Sequence, residues 1–186
     1  MIRLISISLL SLLLLFSSSV CSAKEEKTWA AQNRYNGKTI EYNYGENDEE
    51  YKNGIVRVIT HYDKHGKIKE IESCYSEAQI SIDGIECRVQ FYEHRAVRKP
   101  RLTKSVFLYS QSYSDLHGRT RAEIHYDEKG NKIKEEFWYH DAFAARKNYS
   151  RVEVFYNKGA AEKRVYYDRN GTVISREEKK EVWKSE

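Results

Sequence analysis

The chain has 186 residues, with 32 Lys and Arg against 28 Asp and Glu, 15 Tyr, and a single Pro and a single Met. So small an excess of positive charge gives no electrostatic reason to expect a nucleic-acid or membrane partner. Tyrosine richness with almost no proline excludes a disordered or purely helical chain and suits strands with amphipathic faces.

The chain opens with Arg3, an apolar and Ser-rich run over residues 4–16, and the small patch Ser17-Ser18-Ser19. This reads as a secretory signal peptide cleaved after Ala23, too short for a membrane span. A second reading makes Cys21 the acylated first residue of a lipoprotein, with Val20 where such signals place a smaller residue. Beyond the leader the pattern predicts a single β-rich domain over residues 24–178 and a charged tail over 179–186. The mature chain keeps Cys74 and Cys87. In an oxidising compartment this pair is expected to form one disulfide, adding about 3 kcal/mol on a chain-entropy model.

Residues 24–36 are polar around Trp29, a short helix or an arm. A turn at Asn36-Gly37 leads to a strand over 39–44, and the acidic run 46–50 reads as a solvated loop. In the next strand Val56, Val58, Thr60 and Tyr62 share one face, while Ile55, Arg57, Ile59 and His61 share the other. His61-Tyr62-Asp63-Lys64-His65-Gly66 then gives a hairpin: an alternating run, an Asp to cap the turn and a Gly for positive φ. The pattern returns as His125-Tyr126-Asp127-Glu128-Lys129-Gly130 and as Tyr167-Asp168-Arg169-Asn170-Gly171.

Between these copies, Asp83-Gly84 reads as a two-residue hairpin joining residues 79–82 to 85–92, and Asp115-Leu116-His117-Gly118 as a further turn. A strand over 105–109 comes after Pro100. Residues 141–147 carry helix chemistry, with Asp141 as cap and cations at the end, and are expected to plug one mouth of the sheet. Ala122, Ile124 and Tyr126, then Val152, Val154 and Tyr156, then Val165 and Tyr167, place a tyrosine-rich face toward the core and a charged face toward water. The expected fold is mainly all-β: a curled antiparallel meander or half-open barrel of eight or more strands with one or two short helices.

These hairpins resemble the YD repeats and related MORN-like Tyr/Gly hairpin repeats of bacterial cell-surface, toxin and antitoxin proteins. The resemblance implies a β fold and an interaction role, and supplies no catalytic residue.

For chemistry, the pairs His61 with Asp63 and His125 with Asp127 project to one side of a strand and suit a shared metal or proton, but no third ligand accompanies them and each Asp has a turn to cap. His140-Asp141 meets the same objection, and no nucleophile, zinc or phosphate-loop motif is present. No metal or other cofactor is expected. The stretch 94–104 holds five permanent cations, Arg95, Arg98, Lys99, Arg101 and Lys104. On a β scaffold it suits an anionic lipid, a polysaccharide or an acidic protein surface, and otherwise is a connector. Tyr62, Tyr126, Tyr156, Tyr167, Phe137 and Tyr139 either fill the core or line an apolar groove. The expectation is an exported, non-enzymatic binding or interaction protein of a bacterial envelope, secreted or periplasmic. The alternatives are a half-open barrel carrying a lipid or other apolar ligand and a secreted hydrolase using a His-Asp pair.

Overall fold

Helices and, among the described links, short turns join the strands. The computed structural model describes residues 27–29, 35–94 and 99–178. In chain order these form β1 (Lys27–Trp29), β2 (Thr39–Asn43), α1 (Glu49–Lys52), β3 (Ile55–Tyr62), β4 (Ile68–Tyr75), α2 (Glu77–Asp83), β5 (Ile85–Glu93), β6 (Arg101–Tyr109), α3 (Gln111–His117), β7 (Arg119–Tyr126), β8 (Lys132–Tyr139), α4 (Asp141–Lys147), β9 (Arg151–Asn157), β10 (Ala160–Tyr167) and β11 (Val173–Glu178). The strands make one eleven-stranded sheet in strict sequence order, with antiparallel neighbours throughout and no pairing of the last strand to the first. It is an open meander. The signal peptide over 1–23 with Cys21, the cations Arg95 and Arg98, and the tail over 179–186 lie outside the described residues.

Each strand packs against its sequence neighbours, so the sheet is a single layer and its buried residues lie along the strand centres on both faces. Cross-strand pairing places Ala122, Val152 and Val154 on one face, and Val89, Val106 and Val165 on the other. The expectation of one apolar, tyrosine-rich face holds for Tyr62, Tyr126 and Tyr156, which are half-buried there. It fails for Val165 and Tyr167. Val165 pairs with Glu153 and Tyr167 with Arg151, which puts both on the charged face. The turn after β9 and the register shift between Ala161 and Lys163 set that parity.

At one end of the strands are the hairpins. Asp63 Oδ1 accepts from the N–H groups of His65 at 2.9 Å and Lys67 at 3.0 Å. Asp127 Oδ1 does the same for Lys129 and Asn131, both at 2.8 Å. At the other end stand the helices, four among the described residues rather than one or two. Ser76, Ser110 and His140 are N-caps that accept from the N–H of the third residue on, Gln79, Tyr113 and Phe143. Gly84, Gly118 and Asn148 close α2, α3 and α4 in the left-handed conformation.

The structure corrects several sequence expectations. Residues 79–82 are helix rather than strand, Asp83-Gly84 and His117-Gly118 are helix ends rather than hairpin turns, and the acidic run ends in α1. His140, and not Asp141, caps α4, which sits in line with the other helices at the sheet's end rather than plugging a mouth.

The helices are stitched together by a repeated contact. The N–H of the N-caps of α2, α3 and α4 donates to the carbonyl of the positive-φ glycine that ends the previous helix: Ser76 to Gly54, next to the α1 C-cap Asn53, at 2.8 Å, Ser110 to Gly84 at 2.9 Å, and His140 to Gly118 at 2.9 Å. A side chain of each of these three helices also presses on that glycine: Gln79 on Gly54, Tyr113 on Gly84, and Phe143 on Gly118. The chain is thus an internal repeat of helix, strand, hairpin and strand, with C-caps at intervals of about thirty residues. Each repeat carries a tyrosine at the last or next-to-last position of its first strand, at the hairpin end: Tyr62, Tyr92, Tyr126 or Tyr156.

Candidate functional site

Where two large rows flank a row of small residues, a single-layer sheet acquires a trough. This happens over β9. Val152 lies between Phe137 of β8 and Tyr166 of β10, and Val154 lies between Glu135 and Arg164. Both valines are 6% exposed and form the floor. The walls stand two strand spacings apart, about 10 Å.

Tyr149 closes the helix end of the trough, with its ring edge-on to Tyr139 at 5.4 Å and to Tyr166 at 5.3 Å between centroids. Tyr156 closes the other end. Its hydroxyl donates to Glu135, and Lys132 lies 4.0 Å above its ring. The resulting cleft holds about 360 Å³ and is lined also by Arg119, Tyr139 and Arg164, a volume at the low end of the roughly 300–1,000 Å³ typical of small-molecule sites.

The equivalent positions of β5, Arg88 and Gln90, carry long side chains, so the same rows there offer no valine floor. β3 and β7 carry Val58 with Thr60 and Ala122 with Ile124 at these positions, so β5 is the repeat that departs.

Its electrostatics are positive. Arg119 is packed 4.3 Å from the Phe137 ring and 5.7 Å from that of Tyr109. Burial opposes its charge, yet the phenols of Tyr109 and Tyr139 hold its pKa above the ordinary arginine value. Its Nε is buried and makes no hydrogen bond within the described residues. Glu135 is offset by Lys132 at 2.8 Å. Burial, then the neighbouring phenols, raises the pKa of Tyr149, and burial followed by Glu135 raises that of Tyr156. These hydroxyls remain donors at neutral pH.

The opposite face is a lattice of paired charges. Glu123, Glu136 and Glu153 form a buried row across β7, β8 and β9, flanked by Lys104, His125 and Lys134 on one side and Arg121 and Arg151 on the other. His125 Nε2 lies 3.1 Å from Glu136 and 3.4 Å from Glu123, a donor set with metal-binding chemistry. Each carboxylate already faces cations, Lys104 at 3.4 Å and Arg121 on Glu123, and Lys134 on Glu136. A metal would have to displace them.

The residues anticipated from sequence are dispersed. Lys99 is exposed, Arg101 is in β6 and pairs with Glu93, and Lys104 lies 4.6 Å from the Phe91 ring on the charged face. Of the anticipated groove, Phe137, Tyr139 and Tyr156 do line one cleft, whereas Tyr167 lies on the other face and donates to Glu153 at 2.5 Å. Arg119, Tyr149, Arg164 and Tyr166 were not anticipated. His61 meets Thr39 at 3.0 Å and His125 meets glutamates, while Asp63 and Asp127 cap turns. Cys74 and Cys87 are joined by a disulfide between directly paired residues of β4 and β5. The larger concavity, about 810 Å³ between α1 and α2, opens where Gln79 stands in the place that Tyr113 and Phe143 fill in later helices.

No described helix is long and apolar enough to cross a membrane. No family model matches the chain, and a search of curated proteins finds no match.

Proposed function

We propose that this chain is an exported, non-enzymatic binding protein that takes its ligand on the tyrosine face of the sheet. The observation that carries the reading is the β9 trough, a valine floor between aromatic walls with two guanidiniums. Export rests on the leader read in residues 1–23 and suits the disulfide. The hairpin-repeat resemblance, with an interaction role, agrees with a scaffold that exposes broad faces. A lipid carrier is less well supported, because the trough is shallow and cationic rather than an apolar interior.

The test uses the full mature chain immobilised against glycans, peptides and anionic lipid vesicles. Val152→Trp fills the floor, and Lys163→Gln alters the opposite face. Binding that disappears in the first variant and persists in the second, with the recovered ligand unchanged in mass, is expected. Binding untouched by Val152→Trp, or a ligand recovered cleaved, removes the proposal.

A further inference from the structure

We infer that the β9 trough is a site for an acidic oligosaccharide, a short chain of pyranose rings bearing carboxylates; this rests on the binding reading above and names its ligand class. Three features lead there. First, the backbone of β9 is consumed on both edges, by β8 and by β10, so the floor offers no main-chain ladder to an extended peptide. A peptide strand would add at a free sheet edge instead. Recognition in the trough must come from side-chain faces and tips.

Second, those side chains are phenols, aromatic rings and guanidiniums. Tyr139, Tyr149, Tyr156 and Tyr166 surround an apolar floor, and the hydroxyls of Tyr156 and Tyr166, which donate to Glu135 and Glu177, keep oxygen lone pairs to accept from a ligand. Rings with one apolar side suit stacking against the faces of sugar rings, while hydroxyls at their tips suit a polyhydroxylated partner. Third, the charges about the cleft leave a positive excess: Arg119, Arg164 and Lys132 stand against Glu135 and Glu177, the last paired with Arg164 across β10 and β11. The planar fork of arginine matches a carboxylate with two parallel hydrogen bonds, and Arg119 has an unpaired buried Nε beside the cleft. The trough runs along β9, so the sugar chain lies along that strand, from Tyr149 toward Tyr156.

The experiment is a calorimetric titration of the full mature chain with trigalacturonate, with maltotriose as the neutral trisaccharide, and with a Glu/Tyr-containing hexapeptide. The variants are Arg164→Gln, Arg119→Lys and Val152→Trp, each checked for an unchanged circular dichroism spectrum. Arg119→Lys keeps the charge and the fold while removing the fork. Trigalacturonate is expected to bind, to bind at least about tenfold more tightly than maltotriose, and to lose about tenfold or more in each arginine variant. Equal binding of both sugars, or no sugar binding by the folded wild type, overturns the acidic-sugar assignment. If the hexapeptide binds instead and is lost in Val152→Trp, the sugar assignment falls while the binding face stands. Retention of every bound probe by Val152→Trp overturns both.

Discussion

The two ends of the sheet solve the same problem of reversing the chain by different means. At the hairpin end, one carboxylate satisfies the amides of its own turn, and Gly66 and Gly130 have open space where a Cβ would be. At the helix end, each reversal leans on the next. Gly84 and Gly118 adopt the same positive φ, but a Cβ there would run into the Tyr113 ring in the first case and the Phe143 ring in the second. One end is a set of independent turns; the other is a ladder in which every rung is packed by its successor. Asn148 supports this view, because no further helix comes after α4 among the described residues and a residue with a side chain occupies the last C-cap. The link after β10 is instead a five-residue turn, with Arg169 reaching back to Asp141.

Glycine substitution breaks or sharpens this contrast most directly. Gly130→Ala meets only the left-handed backbone preference, a cost of about 1 kcal/mol. Gly118→Ala meets the same preference and also forces Phe143 off its stack with Tyr139, whose centroids are 4.8 Å apart, adding about 1–3 kcal/mol. Urea unfolding is expected to rank Gly118→Ala as the more damaging by at least about 1 kcal/mol. Equal costs would mean that the helix ladder carries no packing energy.

A smaller effect is expected at the caps. Ser110 accepts from the N–H of Tyr113, so Ser110→Ala should cost about 1 kcal/mol and hasten amide exchange in α3. Because the Ser110 N–H also holds Gly84, exchange at the end of α2 is the readout of coupling between rungs. Unchanged exchange there would make the helices independent.

The hairpins were legible because their chemistry is local: Asp63, Gly66 and the flanking alternation specify the turn within a few residues. Helices α2 and α3 were not, because Ile80, Ile82 and Ile85 show no helical period and a left-handed C-cap asks for the same Gly as a hairpin turn. The signal that separates the two was present but distributed. A Tyr and a cap, Tyr75-Ser76, Tyr109-Ser110 and Tyr139-His140, are each followed by Gly or Asn eight residues after the cap. Half of the trough was legible for a similar reason. Phe137, Tyr139 and Tyr156 belong to patterns visible along single strands. Arg119, Tyr149, Arg164 and Tyr166 join them only through the register of β7 to β10, which includes three irregularities, at Arg119/Arg121, His125/Tyr126 and Ala161/Lys163.

The smallest effect belongs to the hairpin end and depends on pH. The side chain and then the backbone N–H of Asn131 hold the Asp127 carboxyl below its ordinary value of 3.8, and the N–H of Lys67 is the largest cause of the same lowering at Asp63. A carboxyl whose pKa is lowered by folding stabilises the fold above its unfolded pKa and loses that contribution as pH falls through the folded one. Asp127→Asn keeps an acceptor in the turn but removes the charge that makes its hydrogen bonds strong. The variant should therefore melt slightly below the wild type near neutrality, and the gap should close as the pH is taken below 3.8. Amide exchange at Lys129 and Asn131 should quicken in the variant while that of α3 stays unchanged, since no rung of the ladder rests on this turn. A gap that persists in acid would mean that the Asp127 charge contributes nothing, and that the hairpin end relies on backbone conformation alone.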